Sequence, residues 1–360
     1  MPSSTWLLYG ATGYTGELIA EEAAARGHRP VLAGRAERKL RPLAGRLGLE
    51  YRVADLRDAA ALDRALADAA LVLHAAGPFI HTAAPMVQAC LRRGAHYLDI
   101  TGEVPVFEYT LGLDAEARAA GITIMSGVGF DVAPSDCLAK YVAEQLPGAT
   151  ALEIAVMGLG GLSAGTAKSG LEHMARGAMV RRAGKLVTLR LGAGARRVRF
   201  PARGGRASRE HLALIAAWGD LSTAYRTTGI PDITTYLTFS RRLVETLRWA
   251  GPLAQEVMRL APVRRLAQAW VERVVRGPDE RAREAGCGRV WARASAGRGQ
   301  AREAWLVTPE PYAFTALSAV TCVEQVLDRR TAAGALTPAQ AFGADFVLTI
   351  PGVQRYDRLE

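Results

Sequence analysis

Gly10, Gly13 and Gly16 stand three residues apart in LLYGATGYTG, behind an apolar run and ahead of an Ala/Glu-rich one. Glycines so spaced at a strand-to-helix turn make a phosphate cradle. One permits the tight turn, one lets a pyrophosphate approach the main chain, and one lets the helix pack close to the sheet. The phosphates then meet amide N–H groups and the positive end of the helix dipole. The pattern assigns Gly10, Ala11, Thr12, Gly13, Tyr14, Thr15 and Gly16 to dinucleotide binding. At the end of the second apolar run, where an acid would bind a ribose 2′-hydroxyl, this chain has Gly34 and Arg35, with Lys39 one helical turn later. These cations suit a 2′-phosphate, so NADP(H) is expected over NAD(H). A cation at a helix start is disfavoured unless a ligand offsets it, which argues against an idle surface arginine. Asp55 and Leu56 follow the third run and fall at the adenine edge. Ala76, Gly77, Pro78 and Phe79 follow the fourth and fall beside the ribose and nicotinamide, because ligands lie outside the carboxyl ends of parallel strands.

Two carboxylates stand out as proton donors. Glu103 in DITGE and Asp131 in GFDVAPSD follow the fifth and sixth runs, so both loops are expected to open over the nicotinamide. A carboxyl there can supply the proton that accompanies hydride transfer. Ser135 is expected to orient it, or to cap the next helix. The competing structural reading has Asp131 and Asp136 capping that helix and Asp99 anchoring a loop. His173 falls on a helix of the second domain, whereas His74 and His96 read as packed strand residues. None of the four lysines has a tyrosine four residues before it, which excludes the Tyr–Lys acid of short-chain dehydrogenases. The four cysteines form no CxxC pair and the six histidines no ligand spacing, so neither a metal site nor a disulfide framework is expected.

The elements that must position these groups alternate over the first ~145 residues, as parallel α/β folds do. Strand-like runs at 5–10, 30–34, 50–54, 70–77, 96–100 and 122–127 are separated by helical patterns at 17–26, 37–47, 59–67, 83–93 and 106–120. That rhythm predicts a Rossmann-type, doubly wound parallel sheet with right-handed crossovers. After Pro147-Gly148 it changes to a second α+β domain with a more antiparallel sheet. Its strands are expected at 151–161, 185–191, 196–200, 233–239, 289–296 and 302–307, and its helices at 163–182 and 240–275. A long helix is expected at 311–330, and DFVLTIPG (345–352) reads as a last strand. The domains are therefore 1–147 for NADP binding, 148–310 for substrate and dimerisation, and 311–360 as a C-terminal segment.

At 360 residues, 49% of them hydrophobic and 22% charged, the chain is globular. No run approaches ~18 apolar residues, and MPSSTWLLYG has no basic n-region, so neither a membrane span nor a signal peptide is expected and the location is read as cytoplasmic. The net charge of +10 is concentrated between Arg176 and Arg209, with eleven Lys/Arg and no Asp/Glu. The strip reads first as a solvated face. Meeting an acidic carrier is the functional alternative, and with Phe200 its one aromatic residue it is a poor nucleic-acid surface. The amphipathic 240–275 segment reads as a core-facing or dimer-facing helix pair, with peripheral membrane contact as the weaker alternative.

GATGYTG, LAGR, AAGPF, ACLRRGAHYLDITGE (89–103), GVGFDVAPSD (127–136), LSAGTAKS (162–169) and TPEPYAFTALSAV (308–320) together resemble the saccharopine dehydrogenase-like reductases, nearest the trans-acting enoyl reductase type. Where that family has two glycines before threonine, this chain has Ala164-Gly165-Thr166. The resemblance implies a nicotinamide-dependent oxidoreductase with a discontinuous Rossmann domain to which the C-terminal segment returns, and a homodimer built on the middle domain. It implies hydride transfer from NADP(H) to an activated C=C of an acyl substrate, small or carrier-linked. The alternatives are an imine reductase of amino-acid metabolism, with Arg176, Arg181 and Arg182 holding carboxylates, and a non-catalytic NADPH-binding protein.

Overall fold

The computed structural model describes residues 5–158, 161–202 and 209–360. The first part alternates as expected: β1 (Trp6–Tyr9), α1 (Tyr14–Ala25), β2 (Val31–Gly34), α2 (Glu37–Leu47), β3 (Tyr51–Val53), α3 (Ala59–Ala65), β4 (Leu71–His74), α4 (Ala83–Arg93), β5 (His96–Asp99), α5 (Val104–Leu111), α6 (Asp114–Ala119) and β6 (Thr123–Met125). There follow α7 (Ala133–Glu144), β7 (Ala151–Met157), α8 (Ala164–Arg176), β8 (Ala178–Arg182), β9 (Lys185–Leu189), β10 (Ala195–Val198), β11 (His211–Ile215), α9 (Asp220–Thr228), β12 (Asp232–Thr238), α10 (Arg241–Arg259), α11 (Ala261–Val274), α12 (Glu280–Ala285), β13 (Cys287–Ser295), β14 (Ala301–Pro309), α13 (Pro311–Leu327), β15 (Gly334–Ala335), α14 (Pro338–Phe342) and β16 (Gln354–Tyr356).

The chain divides into two units. The first holds the residues up to Thr101, Pro105–Asp131 and Tyr312–Phe342; the second holds Gly102–Val104, Val132–Pro311 and Gly343–Glu360. The division differs from a boundary at 147, because α7 packs on α9 and on β13 and so goes with the second unit. Only 312–342 of the last segment joins the first unit; the remainder carries β16, which pairs with β14.

In the first unit seven strands run in the order β15-β6-β5-β4-β1-β2-β3, every pair parallel. Every residue of β1, β2 and β4 is buried, as a sheet covered on both faces requires of near-continuous apolar runs. The order reverses between β1 and β4, and it is there that a doubly wound sheet opens a crevice for ligands. The second unit is a mixed sheet, β10-β11-β12-β7-β13-β14-β16, with β12 and β7 parallel and β8 pairing β12 and β9.

Three expectations are corrected. The helix drawn over 106–120 is two, α5 and α6, broken at Gly112; Asp114 opens the second, accepts from the Ala335 amide at 2.9 Å and so fixes β15. The helix drawn over 163–182 stops at Arg176. Gly177 takes φ +85, a Cβ there would stand 2.6 Å from Gln255 Nε2, and 178–182 is strand β8. The DFVLTIPG strand is a short 3-10 turn, Phe346–Thr349, whose buried Phe346, Val347 and Ile350 follow helical rather than alternating spacing. The 240–275 helices face the core with one stripe only. Val244, Gly251 and Gln255 are buried, while Trp249 and Leu253 are exposed. Residues 159–160 of the strand expected at 151–161, and Arg203 and Arg206 of the basic strip, lie outside the described residues.

Candidate functional site

The glycine turn sits at the carboxyl end of β1. Gly10 has φ +86, and a Cβ on it would come within 2.7 Å of the Ala76 amide nitrogen, so the turn and the loop after β4 meet backbone to backbone. A Cβ on Gly16 would run into the Gly10 carbonyl, which fixes how close α1 lies to β1. Gly13 is the N-cap of α1, carries no side chain to cap it, and would meet only the Gly10 carbonyl, at 3.3 Å. Its missing side chain leaves the mouth of the turn open to a ligand. The three roles expected of the string are thus separable, and the cradle fits a pyrophosphate on main-chain amides.

Arg35 and Lys39 are exposed, the first between β2 and the N-cap of α2 and the second in the first turn of α2. The charge of Arg35 reaches Tyr9 and Asp55, groups at or just beyond the carboxyl ends of β1 and β3. Burial, with the Asp55 charge second, pushes the Tyr9 phenol up to about 12, and its hydroxyl donates to the Ala54 carbonyl at 2.9 Å. Asp55 is engaged by Arg57, whose amide and side chain donate to it at 2.8 to 3.1 Å and hold its carboxyl well below the usual range. Leu56 packs half-buried against the core of the sheet. In the loop after β4, Thr82 Oγ1 donates to the Ala76 carbonyl at 2.6 Å and, at 3.2 Å, to that of Pro78, while Phe79 is buried edge-on to His74. Burial alone depresses the His74 imidazole to about 3, so it packs as a neutral strand residue.

The loops after β5 and β6 are clasped by Asp99. Its Oδ1 accepts from the amides of Thr101 and Gly127, each at 3.0 Å, and its Oδ2 from Ser126 Oγ at 2.8 Å and Tyr97 OH at 2.9 Å. Burial pushes its carboxyl up to about 6 against the pull of these four donors. Helix α13 completes the β6 loop. Thr315 Oγ1 accepts from the Phe130 amide at 3.0 Å, Ser318 Oγ donates to the Val128 carbonyl at 2.8 Å, and Thr315 would clash with a Cβ on Gly129. The GVGFD and TPEPYAFTALSAV motifs are therefore the two halves of one contact. Neither threonine nor serine was singled out by sequence, although their spacing of three puts them on one helix face.

Glu103 is buried in the second unit with α8: Ser169 Oγ donates to its Oε1 at 2.9 Å, and its charge acts on the buried His173. Burial nevertheless holds that imidazole below its ordinary value, hence neutral, and its Nε2 has no hydrogen-bond partner among the described residues. Ser163 caps α8 by accepting from the Thr166 amide at 3.2 Å, which settles the local turn of Ala164-Gly165-Thr166. Asp131 lies half-buried just ahead of α7. Ser135 is not a cap: it lies inside α7 and donates to Asp220 Oδ2 at 2.8 Å, while Asp136 accepts from Thr227 at 2.7 Å, so both tie α7 to α9.

The basic strip is not one solvated face. Arg181 is buried, donating to the Gly184 carbonyl at 2.7 Å and stacking on Tyr225, and Arg182 donates to Thr234 Oγ1 at 2.9 Å. Arg196 pairs with Glu153 at 2.9 Å and lies over Trp291; the exposed Arg197 and Arg199 flank Glu210.

A parallel sheet with this glycine turn at its switch point defines a nicotinamide-dinucleotide-binding domain. Residues 6–125 match the saccharopine dehydrogenase NADP binding domain. A 138-residue stretch is 37% identical to the trans-acting enoyl reductase of Mycobacterium leprae, covering 36% of this chain and 33% of that protein. A 169-residue stretch is 30% identical to the human saccharopine dehydrogenase-like oxidoreductase, covering 41% and 39%. The matched part thus spans about a third of the length of the curated relatives. The apo saccharopine dehydrogenase (L-Glu forming) of Saccharomyces cerevisiae aligns over 98% of this chain and 99% of its own with a TM-score of 0.67 at 15% identity, which shows a shared fold. Among the described residues no helix is long and apolar enough to cross a membrane.

Proposed function

We propose that the protein is a cytoplasmic, NADPH-dependent reductase that delivers hydride to an activated C=C of an acyl-type substrate. The observation that carries this is the glycine cradle, followed by the exposed Arg35 and Lys39, within residues 6–125, which match the saccharopine dehydrogenase NADP binding domain. When bound, the nicotinamide supplies the hydride; orientation and exclusion of water fall to the protein. The amides of the Gly10–Gly16 turn hold the pyrophosphate, and Arg35 and Lys39 hold the 2′-phosphate. Asp99 and α13 fix the loops after β5 and β6. Glu103, oriented by Ser169, holds the proton that the reduced carbon acquires, with Asp131 as the second candidate donor.

Arg35→Ala tests the cofactor assignment. A charge-assisted hydrogen bond is worth ~1.5–3 kcal/mol, so NADPH should bind roughly ten- to a hundredfold more weakly while NADH stays nearly unchanged. Equal losses for the two cofactors in titration calorimetry refute a 2′-phosphate role.

A carrier-linked acyl group accords with an enoyl reductase that acts in trans, as the mycobacterial relatives are named, and with Arg197 and Arg199 at the surface. Arg196 drops out of this idea, because it is bound to Glu153. Arg197→Glu with Arg199→Glu should raise KM for a carrier-linked substrate about tenfold at low salt and make it less salt-sensitive, leaving a free thioester unaffected. Unchanged carrier kinetics remove the idea. The imine-reductase reading loses two of its carboxylate holders, since Arg181 and Arg182 are bonded within their own unit. NADPH binding without oxidation across enoyl thioesters, imines and keto acids would favour the sensor reading. The homodimer expected from the family is checked by sedimentation equilibrium.

A further inference from the structure

Among the described residues twelve large apolar side chains stand exposed, and eight of them lie on α10, α11 or the single residue joining the two helices. On α10 the buried stripe of Val244, Gly251 and Gln255 leaves the opposite side outward. There Trp249, Leu253 and Val257 recur every four residues, with Leu260 at the joint; Trp249 is 90% exposed and Leu253 70%. On α11 Val271 is buried, and Leu266, Trp270 and Val274 repeat the outward four-residue spacing. Exposed large apolar side chains aligned along a helix face are costly in water and mark an interaction surface.

The same segment is cationic. Residues 241–276 hold eight arginines against three glutamates, a net charge of +5. Arg265 and Arg273 lie exposed among the apolar side chains of α11. We propose that α10 and α11 form a docking surface for an anionic lipid membrane, lying in the plane of the interface with Trp249, Leu253, Leu266 and Trp270 among the acyl chains and the arginines at the headgroups. Helices of 19 and 14 residues with an apolar stripe and a cationic flank suit that position. A second copy of the chain is disfavoured by charge, since it would set one +5 surface against another. A fluid acyl surface accepts a long stripe in any register, whereas an acidic protein must match it residue by residue. The proposal stands independently of the reductase reading.

Six tryptophans make this directly readable, because Trp6, Trp218, Trp291 and Trp305 are buried and only Trp249 and Trp270 are exposed. Acrylamide should quench those two in the free full-length chain. Vesicles of phosphatidylcholine and phosphatidylglycerol in equal parts should protect them and shift emission to the blue, with partitioning at least about tenfold stronger than to phosphatidylcholine alone. Trp249→Ala with Trp270→Ala should lower co-sedimentation about tenfold or more, and Arg265→Gln with Arg273→Gln about tenfold on anionic vesicles only; each should leave NADPH affinity unchanged. Co-sedimentation reads partitioning when the tryptophans are gone. Accessible tryptophans in the presence of every vesicle, or protection that rises with protein concentration and needs no lipid, would overturn the proposal. Capture by an acidic carrier without vesicle binding would overturn it too.

Discussion

Glu103→Gln should lower kcat by about two to four orders of magnitude, the range in which a positioned proton donor contributes, while NADPH affinity stays within a factor of about two. Glutamine keeps the shape and still offers an oxygen to Ser169 Oγ, now 2.9 Å from Glu103 Oε1, so the loss isolates the proton rather than the packing. Ser169→Ala removes the orienting bond alone and should cost about fivefold, the equivalent of a ~1 kcal/mol hydrogen bond. His173 bears on the same test. Burial keeps it neutral, so it supplies no fixed positive charge to Glu103, and the pH–rate profile should not show a histidine that must be protonated. Turnover within about threefold of the parent would dismiss Glu103 and pass the assignment to Asp131→Asn under the same assay.

The second large effect concerns stability. Asp99→Ala should destabilise the protein by about 3 kcal/mol or more in urea unfolding, because it strips partners from two buried amides and two hydroxyls, and an unsatisfied buried donor costs about 1–3 kcal/mol. Asp99→Asn should cost much less, since its carbonyl keeps both amides and the hydroxyls of Tyr97 and Ser126 can turn to accept. The pH dependence has a definite sign. The folded carboxyl titrates at about 6, above its ordinary 3.8, so between those values the folded state holds more protons than the unfolded one. The contribution of Asp99 to stability therefore falls as pH rises from about 4 to about 6, and the penalty of Asp99→Asn should shrink over that window. A penalty that grows with pH would mean the carboxylate is held ionised instead.

Local signals placed most of the first unit. The ranges expected for α2 and α4 are those observed, and the glycine turn falls between β1 and α1. These elements are governed by short-range chemistry: apolar runs buried on both faces, helical periodicity and turn residues. Where a distant partner decides, the pattern misled. The Ala-Met-Val that follows Gly177 continues a helical composition but pairs as a strand with β9 and β12. Phe346, Val347 and Ile350 are as apolar as a strand yet are buried as a turn. The site shows the same division. Spacing alone places Gly10, Gly13 and Gly16 at the turn between β1 and α1, whereas Ser169 meets Glu103 across 66 residues and Thr315 meets Phe130 across 185, distances no local periodicity encodes.

The latter contact bears on how the molecule is made. Strand β15 pairs with β6, and α13 closes the loop that follows β6, so the cofactor-binding half borrows its last pieces from a stretch translated about 180 residues after Asp131. A nascent chain must therefore hold an unfinished sheet edge until almost everything between has left the ribosome. Any fragment cut from the N-terminal third inherits that open edge.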